Sequence, residues 1–206
     1  SIGTNQSYRR YQDLLAHARS AAPIAANFET EMIFGLGEAA REERTALVSA
    51  SFWSLFGVQP ILGRFFAPAD DQPPHGTAVA VLGYGYWQSQ FAGSRDVLGQ
   101  RIRIGSSDYT IIGVTPPGFS GISLRSMAAF IPLTAGAADV FAEVGINDDR
   151  WRTSYRVGWL QTLVRRKPGV TVDAASADLT NAYRLSLETQ RPTGPAGQVP
   201  AAELEQ

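Results

Sequence analysis

The sequence predicts an α+β fold with two lobes, and three observations support this prediction. The chain has 206 residues, 44% of them hydrophobic, which is enough to bury a sizeable core. Strand-like and helical segments alternate near both ends and predict one α+β lobe built from both ends. Short strands bounded by glycine and proline fill the middle and predict an inserted β-rich lobe. The predicted boundaries are 1–76 and 136–191 for the α+β lobe, 77–135 for the inserted lobe and 192–206 for a linker or tail.

The first part of the chain predicts a helix followed by a β-hairpin. Apolar and aromatic residues recur at helical spacing over residues 8–22, and Arg9, Arg10 and Asp13 occupy the opposite, polar face. The next segment alternates imperfectly between apolar and polar residues, as strands do. The hairpin is predicted as strand 24–34, a charged loop over 35–44 and strand 45–48.

Short elements follow in the middle of the chain. Ser51–Phe56 predicts a short helix, with Ser51 as its N-cap and Gly57 as its end. Pro60 and Gly63 then predict an irregular path. The remaining elements are predicted as strand 78–82, aromatic helix Tyr84–Phe91, hairpin strands 101–104 and 109–114 around turn 105–108, and strand 130–133.

The C-terminal part predicts a loop with some helix over 139–152, a strand over 155–166 and a long helix over 172–188. Asp173 is the predicted N-cap of that helix. Its predicted apolar side consists of Ala174, Ala177, Leu179, Ala182, Tyr183, Leu185 and Leu187. After Arg191 the composition turns to proline, glycine and alanine, which is typical of a linker.

Composition excludes some classes of function and favours none strongly. The net charge is −1 with both signs interspersed, so no basic surface for nucleic acid is expected. The chain has no cysteine, which excludes disulfides, thiol nucleophiles and thiolate metal sites. Its apolar runs are far shorter than the roughly 18 residues that a membrane helix needs.

No catalytic, cofactor or metal site is predicted. The segment 35–40 satisfies the spacing of a dinucleotide fingerprint, but its glutamates would oppose a phosphate, so a hairpin turn is the favoured interpretation. His17 and His75 lie far apart without ligand spacing. Asp70 and Asp71 are adjacent in a predicted turn, where their carboxylates point apart rather than across a cleft.

Glycine, proline, aromatic residues and one arginine instead suggest a structural signature. We expect Trp87 to be a core anchor that packs on Phe91, one helical turn away. A buried Arg64 would need Asp70 or backbone carbonyls as partners. The aromatic residues are expected in the core, although Trp53 or Tyr86 could face outward as part of a ligand groove. The proposed signature is Gly57, Pro60, Gly63, Arg64, Asp70, Trp87, Phe91, Gly99, Gly113 and Pro132.

The order of short motifs from Val48 to Leu133 resembles one known family. The motifs are Val48-Ser49, Leu55-Phe56-Gly57-Val58, Gly63-Arg64, Val81-Leu82, Val97-Leu98-Gly99, Ile112-Gly113-Val114, Pro117-Gly118-Phe119 and Pro132-Leu133, with Phe52, Pro60, Phe66, Asp70, Trp87, Phe91 and Gly93 between them. Together they resemble the extracytoplasmic core domain of MacB-like and FtsX-like ABC transporter permeases. Two departures are Gly105-Ser106, where relatives often have Asn-Gly, and Ala128-Ala129, where they often have an acidic residue.

The resemblance implies a non-enzymatic domain, with a porter-like α+β lobe, on the periplasmic side of the bacterial inner membrane. Such domains lie between two transmembrane helices of a permease and transmit conformational change for export or partner activation. The implied partners are those helices, a second permease half or subunit, a cytoplasmic ATPase acting through the membrane and a periplasmic adaptor or substrate protein, with no nucleic acid and no cofactor. The alternative is a secreted glycan- or peptide-binding module that uses exposed aromatic residues.

Overall fold

The computed structural model describes residues 5–145 and 148–190, and the predicted α+β class is confirmed. The helices are α1 (Tyr8–His17), α2 (Ser51–Phe56), α3 (Tyr84–Phe91), α4 (Leu133–Glu143), α5 (Arg150–Thr153) and α6 (Val172–Thr189). The strands are β1 (Gln6–Ser7), β2 (Ala21–Phe34), β3 (Arg41–Val48), β4 (Leu62–Gly63), β5 (Val79–Leu82), β6 (Arg101–Ile104), β7 (Ser107–Val114), β8 (Ala129–Pro132) and β9 (Gly158–Arg166).

One mixed sheet organises these elements. Its strand order is β1-β9-β2-β3-β8-β5-β7-β4, and β6 pairs with β2 and β7 off this path. The β3–β8 and β5–β7 pairs are parallel, and the other pairs between described strands are antiparallel. Parallel neighbours need long crossover connections, and the segment between β3 and β8 supplies one that also contributes β4, β5, β6 and β7 to the sheet.

The sheet buries apolar residues on both faces. Successive residues of β3 point to opposite faces of the sheet and belong to two different apolar clusters. We call the cluster that contains Leu47 layer one and the cluster that contains Ala46 and Val48 layer two. Layer one also holds residues of α1, α3 and α4, and layer two is covered by α2 and its neighbouring loops. Burial on both faces explains why several strands are continuously apolar rather than alternating.

The sheet crosses the predicted lobe boundaries. Residues of β3, assigned to the α+β lobe, pair with residues of β8, assigned to the inserted lobe, from Thr45↔Ala129 to Val48↔Pro132. The division into 1–76, 77–135 and 136–191 stays a prediction, and its two lobes are hydrogen-bonded across this pair. The predicted tail at 192–206 lies outside the described residues.

The N-terminal helix is shorter than predicted. It ends at His17, and residues 21 and 22 belong to β2 instead. Pro23 disfavours helical backbone in the residue before it, and the N–H groups of Arg19 and Ser20 donate to Asp178 rather than to a helical carbonyl. The predicted loop over 35–44 is also too long, because Arg41 already pairs with Phe34.

Helix α4 was predicted only in part: its first residue falls in predicted strand 130–133, residues 134–138 had no assigned element, and residues 139–143 fall in the predicted loop with some helix over 139–152. It contains Gly136, which lowers intrinsic helix propensity. Close packing compensates, since a Cβ added at Gly136 would lie 2.6 Å from Ile131 Cδ1 and 2.9 Å from Leu47. The backbone therefore needs glycine here to approach the sheet.

The predicted helix caps were wrong at two positions. Ala50, not Ser51, is the N-cap of α2, and the Ser51 hydroxyl donates to the Ile24 carbonyl at 2.7 Å. Thr171, not Asp173, caps α6 by accepting from the Ala174 N–H at 3.2 Å. The sequence alone does not distinguish Ala50 from Ser51, or Thr171 from Asp173, because each candidate lies within one turn of the start of its helix.

Trp87 anchors α3 against the sheet, although its aromatic neighbour differs from the prediction. Its side chain is 7% exposed, and its indole Nε1 donates to the Ser94 carbonyl at 2.9 Å. Among the described rings, Trp87 contacts Tyr84 at 5.7 Å between centroids, while Phe91 contacts Tyr86 at 6.3 Å. Helix α3 thus presents two aromatic pairs rather than the predicted Trp87–Phe91 pair.

We expect Trp87→Ala to lower the free energy of unfolding by about 3–5 kcal/mol, because it leaves a cavity and removes a buried hydrogen bond. Phe91→Ala is the control on the same helix, and its half-buried ring should cost clearly less. Urea denaturation followed by circular dichroism measures both. Equal stability of Trp87→Ala and the parent would contradict a core role.

Candidate functional site

Arg64 and Asp70 meet at an exposed corner after β4. The Arg64 Nη1 donates to Asp70 Oδ2 at 2.8 Å and to the Phe65 carbonyl at 3.1 Å. The same carboxylate oxygen accepts from the Ala67 N–H at 2.8 Å. The hydrogen bond from Arg64 lowers the pKa of Asp70, so the contact stabilises the fold above the ordinary carboxyl range and this contribution is lost on acidification. Arg64 thus has the predicted partners, Asp70 and a backbone carbonyl, although 55% of its side chain is exposed.

The neighbouring Asp71 has a different role and was not predicted to be important. Its Oδ1 accepts from the Thr134 N–H at 3.0 Å and the Thr134 hydroxyl at 2.8 Å, and its Oδ2 accepts from the Ala50 N–H at 3.2 Å. One carboxylate therefore caps the start of both α2 and α4. Burial raises the pKa of Asp71, and the hydrogen bonds from Thr134 and Ala50 oppose that rise. The carboxylates of Asp70 and Asp71 therefore bind different partners.

The glycines and prolines of the proposed signature lie at the ends of helices, in turns or where two backbone segments approach each other closely. Gly63 of β4 faces Gly113 of β7, and a Cβ on either would lie 2.1 or 2.2 Å from a carbonyl oxygen. Gly57 ends α2 with a φ of 66°, and Gly99 donates its N–H to the Ile111 carbonyl at 2.8 Å. The remaining two positions are the half-buried Pro60 and the buried Pro132, which is the N-cap of α4.

A buried polar interface joins the two helices nearest the ends of the described chain. The Asp13 carboxylate of α1 accepts from the Ser186 hydroxyl of α6 at 2.6 Å and from the Tyr155 hydroxyl at 2.8 Å. The Arg10 guanidinium lies 4.4 Å from the centre of the Tyr183 ring. We call these five residues the α1–α6 interface. Arg10 and Asp13 are 7% and 8% exposed, so their predicted placement on a solvent-facing surface was wrong, because α6 covers that surface.

A second polar contact fixes the other end of the same helix pair. Asp178 of α6 accepts from the Ser20 hydroxyl at 2.6 Å and from the N–H groups of Arg19 and Ser20 at 2.8 Å each. The hydrogen bond from the Ser20 hydroxyl is the main cause of a lowered pKa at Asp178. Since Asp178 meets the end of α1 and Ser186 meets its middle, the helices are antiparallel. The start of α1 and the end of α6 therefore lie on the same side of the domain.

The apolar side of α6 also differs from the prediction. Its buried residues are Ala175, Ala182 and Ser186, whereas Tyr183 and Leu187 are 40% and 43% exposed. The small side chains recur at helical spacing and permit close approach to α1. The sequence signal for this side was the spacing of small residues, which a count of large apolar residues does not detect.

The structure keeps apart the histidines and aspartates that the sequence analysis considered for chemistry. No group of three or more His, Asp or Glu residues in this part of the chain is placed to hold a metal ion. His17 and His75 are both exposed. The segment with the dinucleotide spacing joins antiparallel β2 and β3 through a three-residue 3-10 helix, so it lacks the helix start on which a pyrophosphate would rest.

Trp53 lies in the core, as expected for most of the aromatic residues, and does not form the alternative outward groove. Its side chain is 5% exposed and stacks on Phe65 with 3.9 Å between ring centres. Phe52, Phe66, Phe119 and Phe130 surround it in layer two. Tyr86 is half-buried against Phe34. Most of the aromatic residues considered for a groove are therefore packed against one another in the core.

Solved structures with a similar fold include the periplasmic region of one protein and the extracellular domain of an ABC-type transporter. The periplasmic region of MacB from Actinobacillus actinomycetemcomitans aligns over 94% of this chain and 86% of its own, with 15% identity and a TM-score of 0.65. The extracellular domain of the ABC-type transporter YknZ from Gram-positive bacteria aligns over 92% and 86%, with 13% identity and a TM-score of 0.62. No curated protein sequence matches the chain.

The sequence itself identifies the family. The model of the MacB-like periplasmic core domain matches residues 3–182, and the chain belongs to that family. The resemblance inferred from the motifs between Val48 and Leu133 is thereby confirmed, and it favours a permease domain over a secreted binding module. In the described ranges, no helix has the length and apolar character that crossing a membrane requires.

We expect Asp71→Ala to lower the free energy of unfolding by about 2–4 kcal/mol, because two helix-start N–H groups lose their acceptor. Arg64→Lys is the control at the neighbouring corner, and it should cost less than about 1 kcal/mol because the ion pair is exposed. Both values come from urea denaturation at neutral pH. A larger loss for Arg64→Lys than for Asp71→Ala would show that the corner, not the shared cap, holds these segments.

Proposed function

We propose that this domain contains no catalytic site and transmits conformational change in an ABC transporter permease, for export or for activation of a partner. The observation that carries the proposal is the antiparallel pairing of α1 and α6. It brings the two ends of the described chain to the same side, as a domain connected to two transmembrane helices requires. The domain would lie on the periplasmic side of the bacterial inner membrane.

The hydrogen bonds supply a route by which movement at that side would enter the sheet. Strand β1 directly precedes α1 and pairs with β9, through Gln6↔Leu160. Strand β9 pairs with β2, and β2 pairs with β3 over eight positions from Asn27 to Phe34. Because Asp13, Ser186 and Asp178 hold the helix pair together, α1 and α6 would move as one unit.

The partners that supply and receive the movement follow from the family. The transmembrane helices of the same permease would move this domain when a cytoplasmic ATPase changes state. A second permease half or subunit would provide the opposing surface, and a periplasmic adaptor or substrate protein would receive the movement. Transmission requires the predicted lobes to shift relative to one another, which would twist the sheet near the β3–β8 pair.

A cysteine pair across the predicted lobe boundary tests this mechanism in the full-length permease. The Ser106 hydroxyl of the inserted lobe donates to the Asp139 carboxylate of the α+β lobe, so Ser106→Cys with Asp139→Cys places two thiols in contact. The chain has no native cysteine to interfere. We expect the cross-link to abolish transport while ATP hydrolysis continues, and reduction to restore transport.

The control pair is Arg103→Cys with Asp108→Cys, which face each other across the β6–β7 hairpin within one predicted lobe. This cross-link should leave transport intact. Full transport with the Ser106–Asp139 pair quantitatively cross-linked would refute transmission by lobe movement. The domain would then act as a passive docking platform.

A further inference from the structure

A polar cleft of about 420 Å³ lies on the layer-two face of the sheet, where β9, β2 and β3 run side by side. Its wall includes Asn27 and Glu29 of β2, Arg44 of β3 and Gln161 of β9, and Ser123 closes it from a loop. Asn27 and Glu29 follow Ala25 at alternate positions, so they extend the face that the aromatic cluster covers elsewhere. The cleft begins where that apolar cover ends.

Asn27 carries an unsatisfied polar atom into this wall. The residue is 1% exposed, and its side-chain oxygen has no hydrogen-bond partner. Its cross-strand neighbours are Val48 and Gln161. A buried carbonyl oxygen without a partner destabilises the folded state, and an apolar residue of similar size would avoid that cost. A ligand that donates a hydrogen bond would relieve it.

Arg44 supplies the complementary group. Its Nη2 pairs with Glu29 Oε2 at 3.2 Å, which cancels the charge of the cleft, while its buried Nε has no partner. The wall therefore holds one unpartnered acceptor at Asn27 and one unpartnered donor at Arg44, both just below its surface, where a small rotation of either side chain would bring them into the cleft, and it carries no net charge. A peptide group carries one N–H donor and one C=O acceptor and is itself uncharged.

The two aromatic residues at the cleft, Phe28 and Trp159, argue against a sugar. Trp159 is 5% exposed, and its ring contacts Phe28, Phe141 and Trp151 at 5.4, 5.1 and 6.1 Å between centroids. The half-buried Phe28 packs in layer one, edge-on to Trp159, so neither aromatic residue of the described wall presents a free ring face on which a pyranose could stack. The loop that closes the cleft instead exposes Ile122 by 40% and Leu124 fully, and these side chains suit an apolar side chain of a polypeptide.

We propose that this cleft binds an extended, uncharged peptide segment of a partner protein. Asn27 Oδ1 accepts from a peptide N–H, Arg44 Nε donates to a peptide carbonyl, and Ile122 and Leu124 contact an apolar side chain of the segment. This site is separate from the transmission of movement, since peptide binding requires no shift of the lobes.

The probe is an array of N-acetylated, C-amidated hexapeptides of Ala, Ser, Gln, Val and Leu, applied to the 206-residue chain. Affinities of the best binders are then measured in solution by calorimetry. We expect Asn27→Leu and Arg44→Lys each to weaken binding about tenfold or more, as the loss of one buried hydrogen bond predicts. Asn27→Leu should also keep or raise the melting temperature, which a purely structural asparagine would not do.

Two matched controls lie outside the cleft wall. Arg103 has a similar exposure to Arg44, an ion pair with Asp108 and an unpartnered Nε, so Arg103→Lys should leave affinity unchanged. Thr162 of β9 carries an unpartnered buried hydroxyl, and Thr162→Val should likewise have no effect on affinity.

Three outcomes would overturn the proposal. The first is an array without binders, or binders whose affinity survives both Asn27→Leu and Arg44→Lys. The second is binding of cellohexaose, tested in parallel, that Asn27→Leu abolishes, because it would assign the cleft to a glycan. The third is peptide binding that appears only after deletion of residues 1–4, which would assign the cleft to the chain's own N-terminus. Failure of the lobe cross-link to stop transport would leave this proposal untouched.

Discussion

Parallel pairing of β3 with β8 is the constraint on which the rest of the fold depends. Parallel strands cannot be joined by a tight turn, so the whole segment 49–128 must cross over and return beside β3. The return places Phe130 in layer two and Ile131 in layer one, so one short strand completes both sides of the core. Strands β5, β7 and β4 follow β8 in the sheet order, and the aromatic cluster packs beside them. Asp71 secures the same junction by capping α2 at the start of this segment and α4 directly after β8.

Much of this architecture could be predicted from the sequence, because the signals are local. Helix α3 and strand β6 occur at their predicted bounds. Both elements are marked locally, by glycine next to an end and by aromatic or β-branched residues within the element. Helix α4 was harder to predict because its stability depends on tertiary contacts. Gly136 fits against Leu47, and Asp71, distant in the sequence, caps the start of the helix. Tertiary contacts of that kind override propensity, and no periodicity reports them.

The candidate site was less predictable than the fold. Periodicity assigned Arg10 and Asp13 to solvent because they are charged, yet Asp13 is buried by Ser186, which is 173 residues away in the chain. The cleft was hidden for a similar reason: Asn27 lies in an otherwise apolar strand, and its missing partner is visible only when all neighbours are placed. The motifs that identified the family mark turns and packing, which explains why they led to the fold and not to these polar groups.

The antiparallel helix pair has a consequence for how such a domain is carried by other proteins. When entry and exit points lie together, inserting a folded unit into a connection between two host segments closes no long loop, and the added entropic cost is small. The host can keep its own packing, and the insert can fold around its own sheet. A domain of this shape can therefore be inserted into a connection between two host segments without changing the packing on either side.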